Sequence, residues 1–173
     1  MSLKLQFFIC LTALAIATGF SSCKPAVDRQ FVDTIQQSTQ QADSSMAALA
    51  DLQTRMSALA SLIKAAPEDV RKAAPQRLDE LAMAAEEYGQ KIAVNFESFQ
   101  QEIAKGKRLS EDYAVGKISL EDARKQYEQM QAQYQIIDEL QTEFQDTYDQ
   151  FDREFKAIAK DALAKTGTVS DKK

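Results

Sequence analysis

The last third of the chain carries apolar residues at alternating spacings of three and four, which restricts the fold more than any other feature. Because an α-helix has about 3.6 residues per turn, this spacing places one apolar stripe along one side of a helix. The pattern predicts a helix over residues 119–165, interrupted at a single stripe position by Gln141. The stripe comprises Leu120, Ala123, Tyr127, Met130, Tyr134, Ile137, Phe144, Tyr148, Phe151, Phe155, Ile158 and Ala162.

A similar stripe predicts another helix over residues 27–65, a stretch without Gly or Pro. Its first half is weakly apolar, because Ser38 and Ser45 occupy stripe positions. Two interpretations stay open for them: they mark a groove for a partner helix, or they are small residues beneath aromatic neighbours, which we favour. The stripe comprises Phe31, Ile35, Ser38, Ala42, Ser45, Leu49, Leu52, Met56, Leu59, Ile63 and Ala66.

The stretch between the two stripes predicts a short connector and one further helix. Pro67 and Pro75 are each followed by good helix formers, so residues 67–74 are expected to form one helical turn in a connector, and a helix is expected over residues 75–115. Its end is expected at Gly116 rather than at Gly106, because Ser119 follows as a helix cap. Its apolar residues are Leu78, Leu81, Ala85, Tyr88, Ile92, Phe96, Phe99 and Ile103.

Burying all three stripes together predicts an all-α fold, an elongated up-down-up three-helix bundle with coiled-coil-like heptad packing. The small half of the first helix should then lie level with residues 96–103 and 127–134, since small residues interdigitate with large ones in cores. Its large half, Leu52 to Ile63, should meet residues 78–88 and 144–155. The alternative is an open, oligomeric coiled coil, in which a partner covers the weak half of the first helix.

The N-terminal residues have the pattern of a secretory signal, with Lys4 preceding an apolar run from Leu5 to Phe20. That run is shorter than the roughly 20 residues of a membrane span. Phe20-Ser21-Ser22-Cys23 resembles the lipobox of bacterial lipoproteins, with Phe where Leu is usual. The alternative is ordinary cleavage after Gly19, which would leave an unpaired thiol in an exported protein.

The resemblance to bacterial lipoproteins implies cleavage before Cys23 and attachment of acyl chains such as palmitate to that residue. It implies residues 1–22 as a removed signal peptide that carries Cys10, and a lipidated tether over residues 23–26. The apolar stripes, in contrast, predict the bundle over residues 27–165, followed by a polar tail over residues 166–173. Lys24 after the cysteine favours the outer membrane, on its periplasmic or surface face, over the inner membrane.

The composition argues against most chemistry and against nucleic acid. The chain has no His and carries 26 acidic against 21 basic residues, so it offers neither a histidine-based catalytic group nor the clustered cations that phosphates need. Asp146, Asp149 and Asp152 are interpreted as a solvated face rather than a weak cation site. No cofactor or metal is expected, and the protein is not expected to be an enzyme.

Two further sets of residues have alternative interpretations. Tyr127, Tyr134 and Tyr148 have core spacing, although they could line a ligand slot. A short basic set near the predicted turn could contact anionic lipid head groups or complement a helix C-terminus. This set comprises Lys105, Lys107, Arg108 and Lys117.

Two functions remain from these observations. The first is a non-catalytic, lipid-anchored helical module of the bacterial envelope, which acts by binding another envelope protein, with a homo-oligomer as one form, or by structural spacing. The second is a carrier or sensor of an apolar ligand held between the helices. A cavity beside Ala42 and Tyr134 would favour the second function.

Overall fold

The structure, a computed structural model, describes residues 27–167, with side chains through residue 164. This part of the chain is 91% helical and contains no strand, so the predicted all-α class is confirmed. The predicted signal peptide, the lipidation at Cys23 and the last six residues of the tail lie outside the described residues. The helical segments are α1 (Arg29–Lys64), α2 (Glu68–Ala73), α3 (Pro75–Val94), α4 (Phe96–Ala114) and α5 (Leu120–Gly167).

Local sequence signals explain where α1 and α3 begin. The carboxylate of Asp28 caps α1 by accepting a hydrogen bond from the backbone N–H of Phe31 at 3.2 Å. Pro75 occupies the first turn of α3, where its missing N–H costs no helical hydrogen bond. The predicted single helical turn in the connector is confirmed as α2.

The turn between α4 and α5 also has its predicted form. Gly116 adopts a φ of 72°, a left-handed conformation that favours glycine. The N–H groups of Gly116 and Lys117 reach back to carbonyl groups of the last turn of α4, each at 2.9 Å. Ser119 caps α5 by accepting a hydrogen bond from the N–H of Asp122 at 3.1 Å, and its hydroxyl donates to the Asp122 carboxylate at 2.7 Å.

The prediction of one uninterrupted helix over residues 75–115 is wrong, because the helix is interrupted at Asn95. The N–H of Asn95 bonds to the carbonyl three residues earlier, on Ile92, and its side-chain amide bonds to the carbonyl of Lys91, each at 3.4 Å. Such side-chain bonds compete with the regular helical pattern. The break falls between Ile92 and Phe99, both buried. In this region Tyr88, Ile92 and Phe96 are spaced by two successive steps of four residues, which moves the apolar stripe to another side of the helix.

The contacts of α1 define the directions of its neighbours. The backbone N–H of Asp28 donates to the hydroxyl of Tyr113 at 3.0 Å, and Lys64 at the other end of α1 pairs with Glu86. Helix α1 is therefore antiparallel to both α3 and α4. Along α5, by contrast, later residues of α1 meet later residues of α5: Ser38 meets Tyr127 and Arg55 lies over Tyr148. Helix α1 is therefore parallel to α5.

The apolar core divides into a proximal half, near the α4–α5 turn, and a distal half, near the connector. In the distal half, Leu59 and Ile63 pack with Leu78 and Phe155, which confirms the predicted match of large side chains. Val70 of α2 is buried in the same cluster. The connector is therefore part of the core, which the sequence pattern does not indicate. None of the helices among residues 27–167 combines the length and hydropathy that crossing a bilayer requires.

We expect the replacement Leu52→Ala to lower the free energy of unfolding by about 2–5 kcal/mol, because it leaves a cavity where the side chain is only 2% exposed. The matched control is Leu62→Ala in the same helix, where the side chain is 59% exposed and the change should stay within about 0.5 kcal/mol. Urea unfolding followed by circular dichroism measures both. Equal effects of the two replacements would contradict this assignment of the core.

Candidate functional site

The polar residues in the first half of α1 pair with polar groups of α5. The hydroxyl of Ser38 lies 2.7 Å from that of Tyr127, and Thr39 Oγ1 lies 3.2 Å from the Tyr134 hydroxyl. We call Ser38, Thr39, Tyr127 and Tyr134 the polar layer. Ser38 therefore lies against an aromatic neighbour, as favoured from the sequence. Ser45 instead donates a 2.6 Å hydrogen bond to the carboxylate of Asp138.

Gly106 lets α4 approach this polar layer closely. It lies within α4, so it does not end the helix. A Cβ atom at this position would overlap the Tyr134 hydroxyl and would lie 2.6 Å from Thr39 Oγ1 and 3.1 Å from Met130 Cε. One turn later, Ser110 is 3% exposed, and its hydroxyl is the only buried side-chain polar atom without a hydrogen-bond partner in residues 27–164. Helix α4 thus faces the layer with small residues.

The three tyrosines considered as a ligand slot do not line one site. Tyr127 and Tyr134 are buried in the polar layer, whereas Tyr148 lies in the next part of α5, with the guanidinium of Arg55 4.1 Å from its ring centroid. Burial raises the pKa of Tyr134, and its hydrogen bond with Thr39 opposes this effect. The hydroxyl of Tyr134 is therefore protonated at neutral pH and acts as a structural hydrogen-bonding group.

An open groove of about 710 Å³ runs between α1 and α5 beside the polar layer. We call it the α1–α5 groove. It lies next to Ala42 and Tyr134, where an apolar-ligand carrier would need a cavity, but it is open to solvent, and six of its nine lining residues are polar. An apolar ligand held there would stay partly exposed to water, which reduces the free energy gained by its burial. The lining residues are Gln37, Ser38, Gln41, Ala42, Gln131, Ala132, Tyr134, Gln135 and Asp138.

The basic residues near the α4–α5 turn are largely paired with acids. Lys107 forms an ion pair with Asp43 of α1 at 2.9 Å, and Lys117 forms one with Asp112 at 2.8 Å. Lys105 pairs with Glu102 in its own helix. A hydrogen bond from Lys117 to Asp112, with the attraction between their charges, raises the pKa of Lys117. The pairing reduces the positive charge that this end presents to an anionic surface.

The acidic row on α5 engages its own helix. Asp149 accepts a hydrogen bond from Gln145 at 2.9 Å, and Asp152 forms an ion pair with Lys156 at 2.6 Å. The hydrogen bond to Asp152 and the charge of that residue raise the pKa of Lys156. Residues 27–167 contain no cluster of three side chains suited to bind a metal ion.

Two features of the candidate site were not predicted from the sequence. Thr39 was not singled out, although it stands beside Ser38 within the run Gln36-Gln37-Ser38-Thr39-Gln40-Gln41, and neither were the glutamines that line the groove. Pairs of glutamines four residues apart on α1 and on α5 are the signal that could have indicated them, since such residues share one side of a helix.

Comparison of the chain with protein-family models, curated proteins and solved structures finds no match.

We expect Gly106→Ala to lower the free energy of unfolding by about 1–3 kcal/mol, because the added methyl group overlaps Tyr134 and Thr39. The matched control is Gly89→Ala in α3, where the nearest atom to the new Cβ is Ser57 Oγ at 3.6 Å. The control should stabilise by about 0.5–1 kcal/mol through the higher helix propensity of alanine. Thermal unfolding measures both, and stabilisation by Gly106→Ala would refute the close approach.

The raised pKa of Tyr134 predicts a loss of stability at alkaline pH. In the unfolded chain this hydroxyl ionises near pH 10.0, whereas the folded protein retains its proton to a higher pH. The folded state then binds more protons than the unfolded state, so the free energy of unfolding falls as pH rises through and above 10. Urea unfolding across this range should show a steeper fall for the native protein than for Tyr134→Phe. Parallel curves would contradict the assignment.

Proposed function

We propose that the protein is a non-catalytic, lipid-anchored helical module of the bacterial cell envelope that acts by binding another protein. The observation that carries this proposal is the resemblance of Phe20-Ser21-Ser22-Cys23 to a lipobox, followed closely by the start of α1 at Arg29. Cleavage before Cys23 would leave five residues between the lipidated cysteine and that helix. Two or three acyl chains at this position anchor a protein stably, whereas one alone is marginal.

The position of the anchor sets how such a module would stand on a membrane. The hydrogen bond between Asp28 and Tyr113 holds the start of α1 beside the end of α4. The α4–α5 turn and the proximal half therefore lie at the anchored end. Helix α5 has 48 residues, which is a length of about 70 Å at a rise of 1.5 Å per residue. The distal half would then extend away from the membrane. Lys24, directly after the lipidated cysteine, favours the outer membrane as the membrane that holds the anchor.

We further propose that the helices act as one three-helix bundle with coiled-coil-like heptad packing, in which α3 and α4 together form the middle arm. The directions of α1, α3, α4 and α5 support this arrangement. Burial of Ile35 and Ala42 within the chain also supports a closed monomer over an open oligomer. In an open coiled coil, these side chains in the first half of α1 would be exposed to solvent until a partner chain covered them.

Protein binding is favoured over the carriage of an apolar ligand by the lining of the α1–α5 groove. Its glutamine amides both donate and accept hydrogen bonds, which suits a polar partner.

The described side chains with shifted pKa values are Tyr134, Lys117 and Lys156. Each shift has a structural cause, burial or a neighbouring acid, which fits a protein without catalysis.

We expect the native chain to fractionate with membranes and to carry the mass of two or three acyl chains, and Cys23→Ala to lose both properties. Intact-mass spectrometry combined with membrane fractionation of a bacterial expression host measures this. The matched control is Cys10→Ala, which removes the other cysteine of the chain and should leave the lipid in place.

One outcome would overturn the lipid anchor. A mature protein that begins at Phe20 without an acyl mass would indicate ordinary cleavage after Gly19. The helical module would then be an exported protein with a free thiol at Cys23, and the proposed position of the membrane at its proximal end would be lost.

A further inference from the structure

Two pairs of glutamines face each other across the α1–α5 groove. Gln37 and Gln41 lie one helical turn apart on α1, and Gln131 and Gln135 lie one turn apart on α5. Hydrogen bonds between α1 and α5 join residues that are 89, 95 and 93 positions apart. The pairs Gln37–Gln131 and Gln41–Gln135 have separations within this range, so each pair lies at one level of the groove.

These four glutamines are exposed to solvent, and few of their hydrogen-bonding groups have a partner within the described part of the protein. Within residues 27–164, the side chains of Gln37 and Gln41 take part in none of the hydrogen bonds of the structure. Gln131 donates to the hydroxyl of Tyr127 at 3.0 Å, and Gln135 donates to Glu139 at 2.8 Å. Each α5 glutamine keeps its side-chain carbonyl oxygen as an acceptor and one further N–H as a donor. The groove therefore presents donors and acceptors along both walls.

The spacing of these amides matches an extended polypeptide. Four residues of helix advance about 6 Å along the axis, and two residues of an extended chain advance about 6.6–6.8 Å. A peptide unit carries one donor and one acceptor, so a glutamine amide can bond to it through both of its own polar atoms. Ser38 and Ala42 of α1 are small, which lets a backbone approach between the two walls.

The charge and shape of the groove argue against other ligands. No Lys or Arg is among the residues that line it, so it does not attract phosphates or other anions. Its single carboxylate, Asp138, already accepts a hydrogen bond from Ser45. Tyr134 is its only aromatic lining residue and is 5% exposed, so it presents no flat face on which a sugar ring could stack.

From these observations, we propose that the α1–α5 groove binds an extended, uncharged peptide segment of another protein, with its backbone held by Gln37, Gln41, Gln131 and Gln135. This inference rests on the proposed function, because it names the site and the kind of partner for protein binding. It does not depend on the lipid anchor. A peptide held in this way is recognised mainly through its main chain, and pockets beside the walls select its side chains.

The test is a selection from a displayed library of random 12-residue peptides against the purified mature protein. Enriched peptides are then titrated calorimetrically against variants. Gln37→Ala combined with Gln41→Ala should weaken binding at least tenfold, and so should Ala132→Trp, which fills the groove from an exposed position. The matched control combines Gln90→Ala with Gln150→Ala, two exposed glutamines away from the groove, and should bind as the native protein does.

Circular dichroism of each variant confirms that the fold is retained, and Ala132→Trp provides a second test if the double glutamine variant unfolds. The proposal is overturned if no peptide is enriched, or if the groove variants bind the enriched peptides as tightly as the native protein. It is also overturned if a chitin tetrasaccharide binds the groove and peptides do not. None of these outcomes alters the result for Cys23→Ala, so failure of the peptide site and failure of the lipid anchor are distinguishable.

Discussion

The pairing of Ser38 and Thr39 with the tyrosine hydroxyls of α5 is the interaction on which the arrangement of the other helices depends. An apolar seam with a repeat of seven residues can shift by one repeat and still bury its side chains. A buried hydroxyl that loses its partner in such a shift costs about 1–3 kcal/mol. The polar layer therefore favours one alignment of α1 with α5, as single polar residues do in coiled coils. That alignment also determines which glutamines face each other across the α1–α5 groove.

The helix ends were the part of the fold that the sequence predicted best. Gly116 and Ser119 act through local conformation and local hydrogen bonds, so their effect does not require knowledge of the tertiary structure. The break at Asn95 is different, because an asparagine in a helical stretch interrupts the helix only when the packing on either side favours the interruption. The burial of Val70 was missed for a related reason: a six-residue helix is too short to show a periodic pattern.

The candidate site was predicted only in part. Ser38 was noticed because a polar residue stood in an apolar stripe, and the structure places it in the polar layer. The glutamines were not predicted as site residues, because polar residues are expected on the outer side of a helix and do not individually indicate a binding site. Their meaning comes from the alignment of α1 with α5, which depends on contacts between residues far apart in the chain. A stripe of apolar residues indicates that two helices pack together, but it does not indicate which residues of one helix lie at the same height as which residues of the other.

A buried apolar core behind the α1–α5 groove explains how a polar groove can persist in a narrow helical protein. Amide-lined surfaces contribute little hydrophobic free energy, but Ile35, Leu49 and Phe99 are buried in the proximal half. The distal half contains Met56, Leu59 and Ile63, together with aromatic side chains of α5. Helices α1 and α5 continue without interruption through both halves, and cooperative helix formation couples the two along each helix.

The middle arm is interrupted at Asn95, three residues after Ile92, which is buried in the proximal half of the core. The walls of the groove are formed by the two continuous helices and not by the interrupted arm. The distance between the facing glutamines is therefore determined by α1 and α5, and a movement of α4 about Asn95 would not change it directly. A binding surface built on two uninterrupted helices is ordered before a partner binds, which reduces the free energy lost in ordering it.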